Sequence, residues 1–426
     1  MSATRARSPW TWIPSLYLAE GLPYVVVMTV SVIMYKRFGI SNTDIALSTS
    51  LLYLPWVIKP LWSPLVDLLG TRRRWIWVLQ LAIGVALAGV ALAVPQPQRF
   101  TWTLLLFWCM AFSSATHDIA ADGFYMLGTD DRQQSFFVGV RNTFYRAALL
   151  SGQGPLVLFA GVLEKRSGVV PAWTQAMLLV SLLFFAFGLW HAWALPHPDS
   201  DRPGNVRRFP EFAREFFATF GSFFRKPGIG VTVGFILLYR LGEAQLVKMV
   251  APFLLDPRDK GGLGLTTAQF GIVYGTFGVL ALTLGGIVGG IAASRGGLRR
   301  WLWPMLLGIH VPDAVFIYLA YVQPANPWIV QAAVVLEQFG YGFGFTALLV
   351  YMMQVARGEH QTAHYAICTG FMALGMMLPG MWSGWLQDHI GYRHFFTCVI
   401  LATIPSFLVA SRLRLGEEPA REQAAA

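Results

Sequence analysis

Residues Leu104 to Gly128 read LLLFWCMAFSSATHDIAADGFYMLG. At about 1.5 Å per residue, a helix of this length crosses the roughly 30 Å hydrocarbon core of a bilayer. Yet the stretch carries His117, Asp118 and Asp122 within little more than one helical turn. An ionisable side chain at the centre of a spanning helix costs about 3 kcal/mol on insertion scales, so it faces a partner or a water-filled path and not lipid. An apolar helix with a charged stripe belongs to a bundle that encloses a polar interior.

The remainder of the chain repeats the pattern. Of 426 residues, 55% are hydrophobic and only 13% charged, about half the charged share of a soluble domain. Apolar blocks recur at 11–35, 44–66, 75–94, 101–127, 135–162, 173–195, 229–255, 267–292, 301–321, 328–355, 363–386 and 394–412, which predicts an all-α polytopic membrane protein with twelve transmembrane helices. An even count puts both termini on one side. Lys and Arg concentrate in the loops of that side, notably at Arg72, Arg73 and Arg74 and again at Arg295, Arg299 and Arg300, which places both termini in the cytoplasm. These loops account for the formal charge of +10, and no basic tract points to nucleic acid.

Cys109, Cys368 and Cys398 lie inside apolar blocks without metal-ligand spacing and read as small core residues. The first block is too long for a signal-peptide core and is expected to be retained. The sequence contains no P-loop, zinc motif or GxSxG. No cofactor, metal site or catalytic residue is therefore expected, and an ion gradient must drive any uphill transport.

One connection, 196–228, is much longer than the others and separates a six-helix bundle at 1–195 from another at 229–426. In it Phe209, Phe212, Phe216, Phe220 and Phe223 recur at intervals of three and four, beside Arg208, Arg214, Arg225 and Lys226. This predicts an amphipathic helix, laid either on lipid of the inner leaflet or on the protein's own cytoplasmic face. The halves resemble each other. Leu18-Ala19-Glu20-Gly21 matches Leu241-Gly242-Glu243-Ala244, and Gly70-Thr71-Arg72-Arg73-Arg74-Trp75 matches Gly297-Leu298-Arg299-Arg300-Trp301. A duplicated six-helix unit with a cytoplasmic link is the plan of the major facilitator superfamily, where substrate binds between the halves at mid-membrane.

The intramembrane acids are Glu20, Asp118, Asp122, Glu243, Asp313 and Glu337, and the bases Lys59, Arg141, Arg146, Arg240 and Lys248, with His117 and His310 able to titrate. Counting from the turn at 129–134 puts Asp118 level with Arg141, and Arg146 deeper, near His117 and Ser114. Asp118 and Asp122 share a face. They serve either as a brace that neutralises Arg141 and the Arg72–Arg74 turn, or, with His117, as cavity groups that handle substrate or a proton. Glu20 lacks a basic neighbour on its own helix and lies beside Gly21 and Pro23, which loosen the backbone; it is the leading proton carrier, and Glu337 the second.

Tyr17, Arg141, Tyr145, Arg146, Arg240, Glu243 and Lys248 are the expected substrate contacts, although Arg240 and Glu243, three apart, could simply pair. Asp67, Arg72, Arg73 and Asp122 are expected to be structural or gating groups. Pro55, Pro60 and Pro64 kink the second span, where Lys59 either meets substrate or snorkels to the surface. Gly271, Gly275, Gly285, Gly286, Gly289 and Gly290 read as close-packing positions, whereas the run Gly340 to Phe345 suits either packing or gating.

Three motifs carry a closer resemblance. EGLPY at 20–24, KPLWSPLVD at 59–67 and ATHDIAADGF at 115–124 resemble the family that unites AmpG-type muropeptide permeases with acetyl-coenzyme A transporters. The resemblance is specific over roughly the first 150 residues. It implies proton-coupled import, across the bacterial inner membrane, of a bulky anionic and often N-acetylated solute such as a muropeptide. The family's usual Gln in the third motif is His117 here. The competing readings are an exporter of drugs or metabolites with the same fold, and a membrane sensor that does not transport.

Overall fold

The computed structural model describes residues 8–63, 66, 69–202, 209–358 and 361–413. Among them nine helical stretches are long and apolar enough to cross a membrane. Two of these, Thr267–Val322 and Ala363–Ala410, each turn once, at Gly297 (φ 67°) and Gly391 (φ 72°), a left-handed conformation that glycine alone adopts cheaply. The second span is shorter and broken, with Asn42–Leu51 followed by Leu54–Ile58, which opens with Leu54-Pro55. Proline lacks the N–H that an unbroken helix needs there. Read this way, the course is consistent with twelve passes, and no strand occurs among the described residues.

The outside of the bundle is apolar. Leu92, Trp102, Leu182, Leu284, Ile287 and Trp382 are all exposed, a surface that only lipid satisfies. Cys109 faces this exterior and Cys368 alone of the three cysteines is fully buried. Inside, small residues let helix backbones touch. A Cβ on Gly285 would land on the carbonyl of Phe339, one on Gly342 on the carbonyl of Leu282, and one on Gly344 on the carbonyl of Met305. The glycines of spans eight and ten thus mesh with each other and with span nine, which favours packing as their role. Gly290 is the exception, with open space around it.

The helix Phe209–Phe224 follows the long connection. Its C-terminal end docks on the protein. Phe223 is buried against Phe371 and His364, and Ser222 Oγ lies 2.9 Å from His364 Nε2. Phe217 remains exposed. Arg208 and the side chains of Phe209, Phe212 and Phe216 lie outside the described residues, as does Asp67.

One end of the bundle is sealed by contacts between the halves. Lys36 Nζ meets Asp256 Oδ1 at 2.7 Å and Thr43 donates to Asp388, while Tyr392, from the same half as Asp256, steadies that acid by donating to it at 2.6 Å. Glu164 joins this end by accepting from Arg37, Trp173 and Thr267, residues of four different spans together with its own. Just inside the seal, spans one, five and eight each carry a π-helical stretch, at Val26–Val30, Gly152–Leu156 and Gly271–Gly278. The Gly275 backbone there rests on Gln153 and Gly154 of the other half.

Candidate functional site

Below the seal, spans one, two, four and five bring together Tyr17, Glu20, Lys59, Asp118, Asp122 and Arg141. Arg141 donates to Asp122 Oδ1 at 2.7 Å, and the Tyr17 hydroxyl reaches the same oxygen at 3.3 Å. The guanidinium carbon lies 4.5 Å from the Tyr17 ring centroid and 5.1 Å from that of Tyr125, so the cation is held over two aromatic faces. Asp118 accepts from Trp56 Nε1 at 3.0 Å and has Lys59 Nζ at 3.8 Å. Glu20 is 8% exposed, and its Oε2 has no hydrogen-bond partner. Three acids thus share two bases, with one carboxylate left over.

The Arg141–Asp122 pair is the brace expected of Asp122, whereas Asp118, expected level with Arg141, takes other partners. Arg141 meets Asp122 and not Asp118. Helical side chains lean towards the N-terminus of their own helix, so Arg141 leans back towards the turn between spans four and five. That lean favours the acid one turn closer to the loop. Lys59 takes the place beside Asp118, so it does not snorkel to the surface.

His117 leaves the cluster altogether. Neighbouring helical residues diverge by about 100°, so an Asp118 that faces Lys59 turns His117 away. His117 is 1% exposed and its Nε2 lies 2.9 Å from the Gln80 amide nitrogen; Gln80 Oε1 lies 2.8 Å from His191 Nδ1, and His191 Nε2 lies 2.9 Å from Ser15 Oγ. One neutral arrangement satisfies every link: Ser15 donates to His191, His191 to Gln80 and Gln80 to His117. The chain braces spans one, three, four and six. Gln80→Leu would strip a partner from two buried imidazoles, at about 1–3 kcal/mol for each orphaned group. The expected result is a lower melting temperature with uptake per folded molecule retained. Loss of uptake at an unchanged melting temperature would contradict a bracing role.

The basic turn has its own partners. Asp201 caps the start of span three by accepting from the backbone N–H groups of Arg72 and Arg73 at 2.8 and 3.0 Å. The side chain of Arg72 donates to the Gly123 carbonyl, and that of Arg73 to the carbonyls of Leu195 and Ala192. The turn therefore ties to backbone of spans four and six, and among the described contacts none joins it to Asp118 or Asp122. Tyr145 packs against Gly21 of span one. Arg146 is exposed beside Gly286 of span eight, whereas His117 is buried.

The C-terminal half is arranged differently. Arg240 bonds the Tyr341 hydroxyl and lies 4.9 and 4.8 Å from the ring centroids of Tyr341 and Phe345, so it does not close on Glu243. Lys248 donates to Thr49 at 3.0 Å, across the interface between the halves. Glu243 instead meets Asp313 and Glu337: one oxygen of each lies within 4.8 Å of the others, and all three side chains are buried. Positions 243, 313 and 337 are too far apart in sequence for any local pattern to announce this cluster. Trp56 and Tyr125 also escaped the sequence reading, because each works through a partner on another span.

The profile of the Major Facilitator Superfamily matches residues 244–426, and that of the BT1 family matches residues 19–135. The anhydromuropeptide permease of Escherichia coli is 26% identical over 409 residues, a match that covers 92% of this chain and 77% of that protein. A putative transporter of Rickettsia conorii, AmpG 4, is 24% identical over 404 residues and covers 92% of this chain and 94% of its own. Among solved structures, the nucleoside transporter NupG superposes with a TM-score of 0.68 at 13% identity, over 94% of this chain and 99% of that one. A bacterial homologue of the human lysosomal transporter Spinster gives 0.67 at 14% identity over 96% of both chains. These two show the fold alone. Taken with the polar cluster inside an apolar bundle, the matches make the chain a multi-pass membrane transporter of the major facilitator fold, not an enzyme, similar along most of its length to AmpG-type permeases.

Proposed function

We propose that the protein imports muropeptide or N-acetyl-sugar-containing fragments across the bacterial inner membrane, driven by protons. The observation that carries this reading is the cluster of Glu20, Asp118 and Asp122 with only Lys59 and Arg141 between them. Guanidinium and ammonium groups suit an anionic cargo. The surplus carboxylate suits a proton, because a buried acid without a base is neutral at little cost and charged at a large one. Similarity to the anhydromuropeptide permease supplies the cargo class.

In this reading Glu20 takes the proton and Asp118 relays charge to Lys59. Arg141, stacked over Tyr17, grips the cargo carboxylate once Asp122 releases it. Tyr145 and, from the other half, Arg240 complete the contact. The bundles 1–195 and 229–426 rock about the cavity, linked by 196–228, whose amphipathic helix lies at the cytoplasmic side with both termini. The sealed end then faces outward.

Proteoliposomes with labelled anhydro-muropeptide and an imposed inward proton gradient test the reading. Uptake should require the gradient and disappear with a protonophore. Glu20→Gln and Asp118→Asn should each lose the gradient dependence. Uptake of the fragment that ignores the gradient would remove the coupling, and folded protein that takes up no such fragment would remove the cargo class.

A further inference from the structure

Spans seven and nine are both broken at the depth of the acidic cluster. Span seven stops at Leu238 and restarts as Leu241–Leu255, with Arg240 at the capping position and Glu243 in the first turn. Span nine stops at His310 and restarts as Ala314–Val322, with Asp313 at the capping position. Asp313 does not cap: its side chain makes no hydrogen bond to the helix it precedes. It turns instead towards Glu243 and Glu337. Both oxygens of Glu243 and both of Asp313 are buried without a hydrogen-bond partner, and these residues are 0% and 1% exposed. Glu337 accepts only from the neighbouring amide of Gln338, which also contacts the Tyr274 hydroxyl.

We propose that Glu243, Asp313 and Glu337 form a binding site for a hard, oxygen-preferring cation of the Na⁺ or Ca²⁺ class. Two features support a cation. Every donor is a carboxylate oxygen, the preference of hard ions, with no thiol in the group. The oxygens lie within 4.8 Å of one another, so small side-chain movements bring all three within the roughly 2.3–2.6 Å bond that such ions make to oxygen.

Among the described residues, the surroundings leave the three carboxylates without a bonded base. Two helix restarts place Asp313 at a capping position and Glu243 in a first turn, beside positive helix ends that a carboxylate–cation pair would also meet. No described basic group hydrogen-bonds Glu243 or Asp313. Arg240 is engaged with Tyr341 and Phe345, and His310 Nδ1 stands 3.9 Å from Asp313 Oδ2 while its Nε2 is 2.9 Å from Ser406. Broken spans whose half-helices converge on buried carboxylates are a way to hold an ion at mid-membrane.

This site lies in the other half from the Glu20 cluster, and its test uses no cargo, so failure of the import reading leaves it intact. Full-length protein purified in detergent without Na⁺ or divalent ions is titrated separately with NaCl and CaCl2, against choline chloride at matched ionic strength. One of the two ions should raise the melting temperature saturably, by about 3–5 °C at a hundredfold excess over Kd. Asp313→Asn and Glu243→Gln should abolish the rise, and Glu20→Gln should keep it. Should the first two variants fail to fold, direct binding of ²²Na⁺ or ⁴⁵Ca²⁺ to the unaltered protein, near one ion per chain, answers the question. A melting temperature that follows pH alone, with no response to either ion and no bound isotope, would overturn the proposal and leave the triad to protons.

Discussion

Arg141→Ala is expected to abolish uptake of an anionic cargo while leaving the protein folded. The two effects separate because the Arg141–Asp122 pair is half open to solvent, with side chains 25% and 46% exposed. A screened pair of this kind contributes about 1 kcal/mol or less to stability. Contact with a cargo carboxylate in a closed cavity is a different matter. Removing one side of a desolvated, hydrogen-bonded charge pair costs about 2–4 kcal/mol, which at 1.4 kcal/mol per decade is roughly a 30- to 700-fold loss. Arg141→Lys should recover only part of it, since an ammonium lacks the planar fork and stacks less well over Tyr17 and Tyr125. Asp122→Asn should behave in the opposite sense: it frees Arg141 and tightens cargo binding while it slows release. The measurement is uptake and cargo affinity in the same proteoliposome preparation, with melting temperature as the folding control. Unaltered uptake by Arg141→Ala would remove this residue from the cargo site.

The second large effect is mechanical. Gly275 lies in span eight where its backbone rests on Gln153 and Gly154 of span five, in the other half. The obstructing atoms are main chain, inside a helix, and cannot swing aside as a side chain would. Gly275→Leu can be relieved only by moving one half away from the other. That unseals the end held by Lys36–Asp256 and Thr43–Asp388. Overpacking of this kind costs about 1–3 kcal/mol, enough to shift a two-state equilibrium by roughly 5- to 150-fold. Alternating access needs both states, so uptake should fall to near background. In a variant lacking Cys109, Cys368 and Cys398, a thiol introduced by Thr43→Cys should label faster. A Cβ at Gly290 on the same span meets nothing within 4 Å, so Gly290→Leu should behave as the parent. Normal uptake and normal labelling with Gly275→Leu would show that the halves do not close through this contact.

Sequence alone determined the class of this protein and most of its course. Apolar blocks of bilayer length leave little choice but helices, because lipid offers backbone groups no partner. The turns are equally local: Gly297 and Gly391 take conformations that only glycine tolerates, and Pro55 opens a new helix. The sequence also singled out every member of the N-terminal cluster that carries charge. It did so because a charge in an apolar helix is conspicuous by itself.

Partners were decided only in three dimensions. Asp122 took Arg141, Asp118 took Lys59 and Trp56, and His117 went to Gln80, because a helix commits each side chain to one azimuth and neighbours only one turn apart differ in whom they meet. Glu243, Asp313 and Glu337 converged from three spans, and Arg240 passed over Glu243 for two aromatic rings. Such outcomes depend on how helices cross, and crossing is set by where glycine lets backbones touch, across distances in sequence that no local pattern spans.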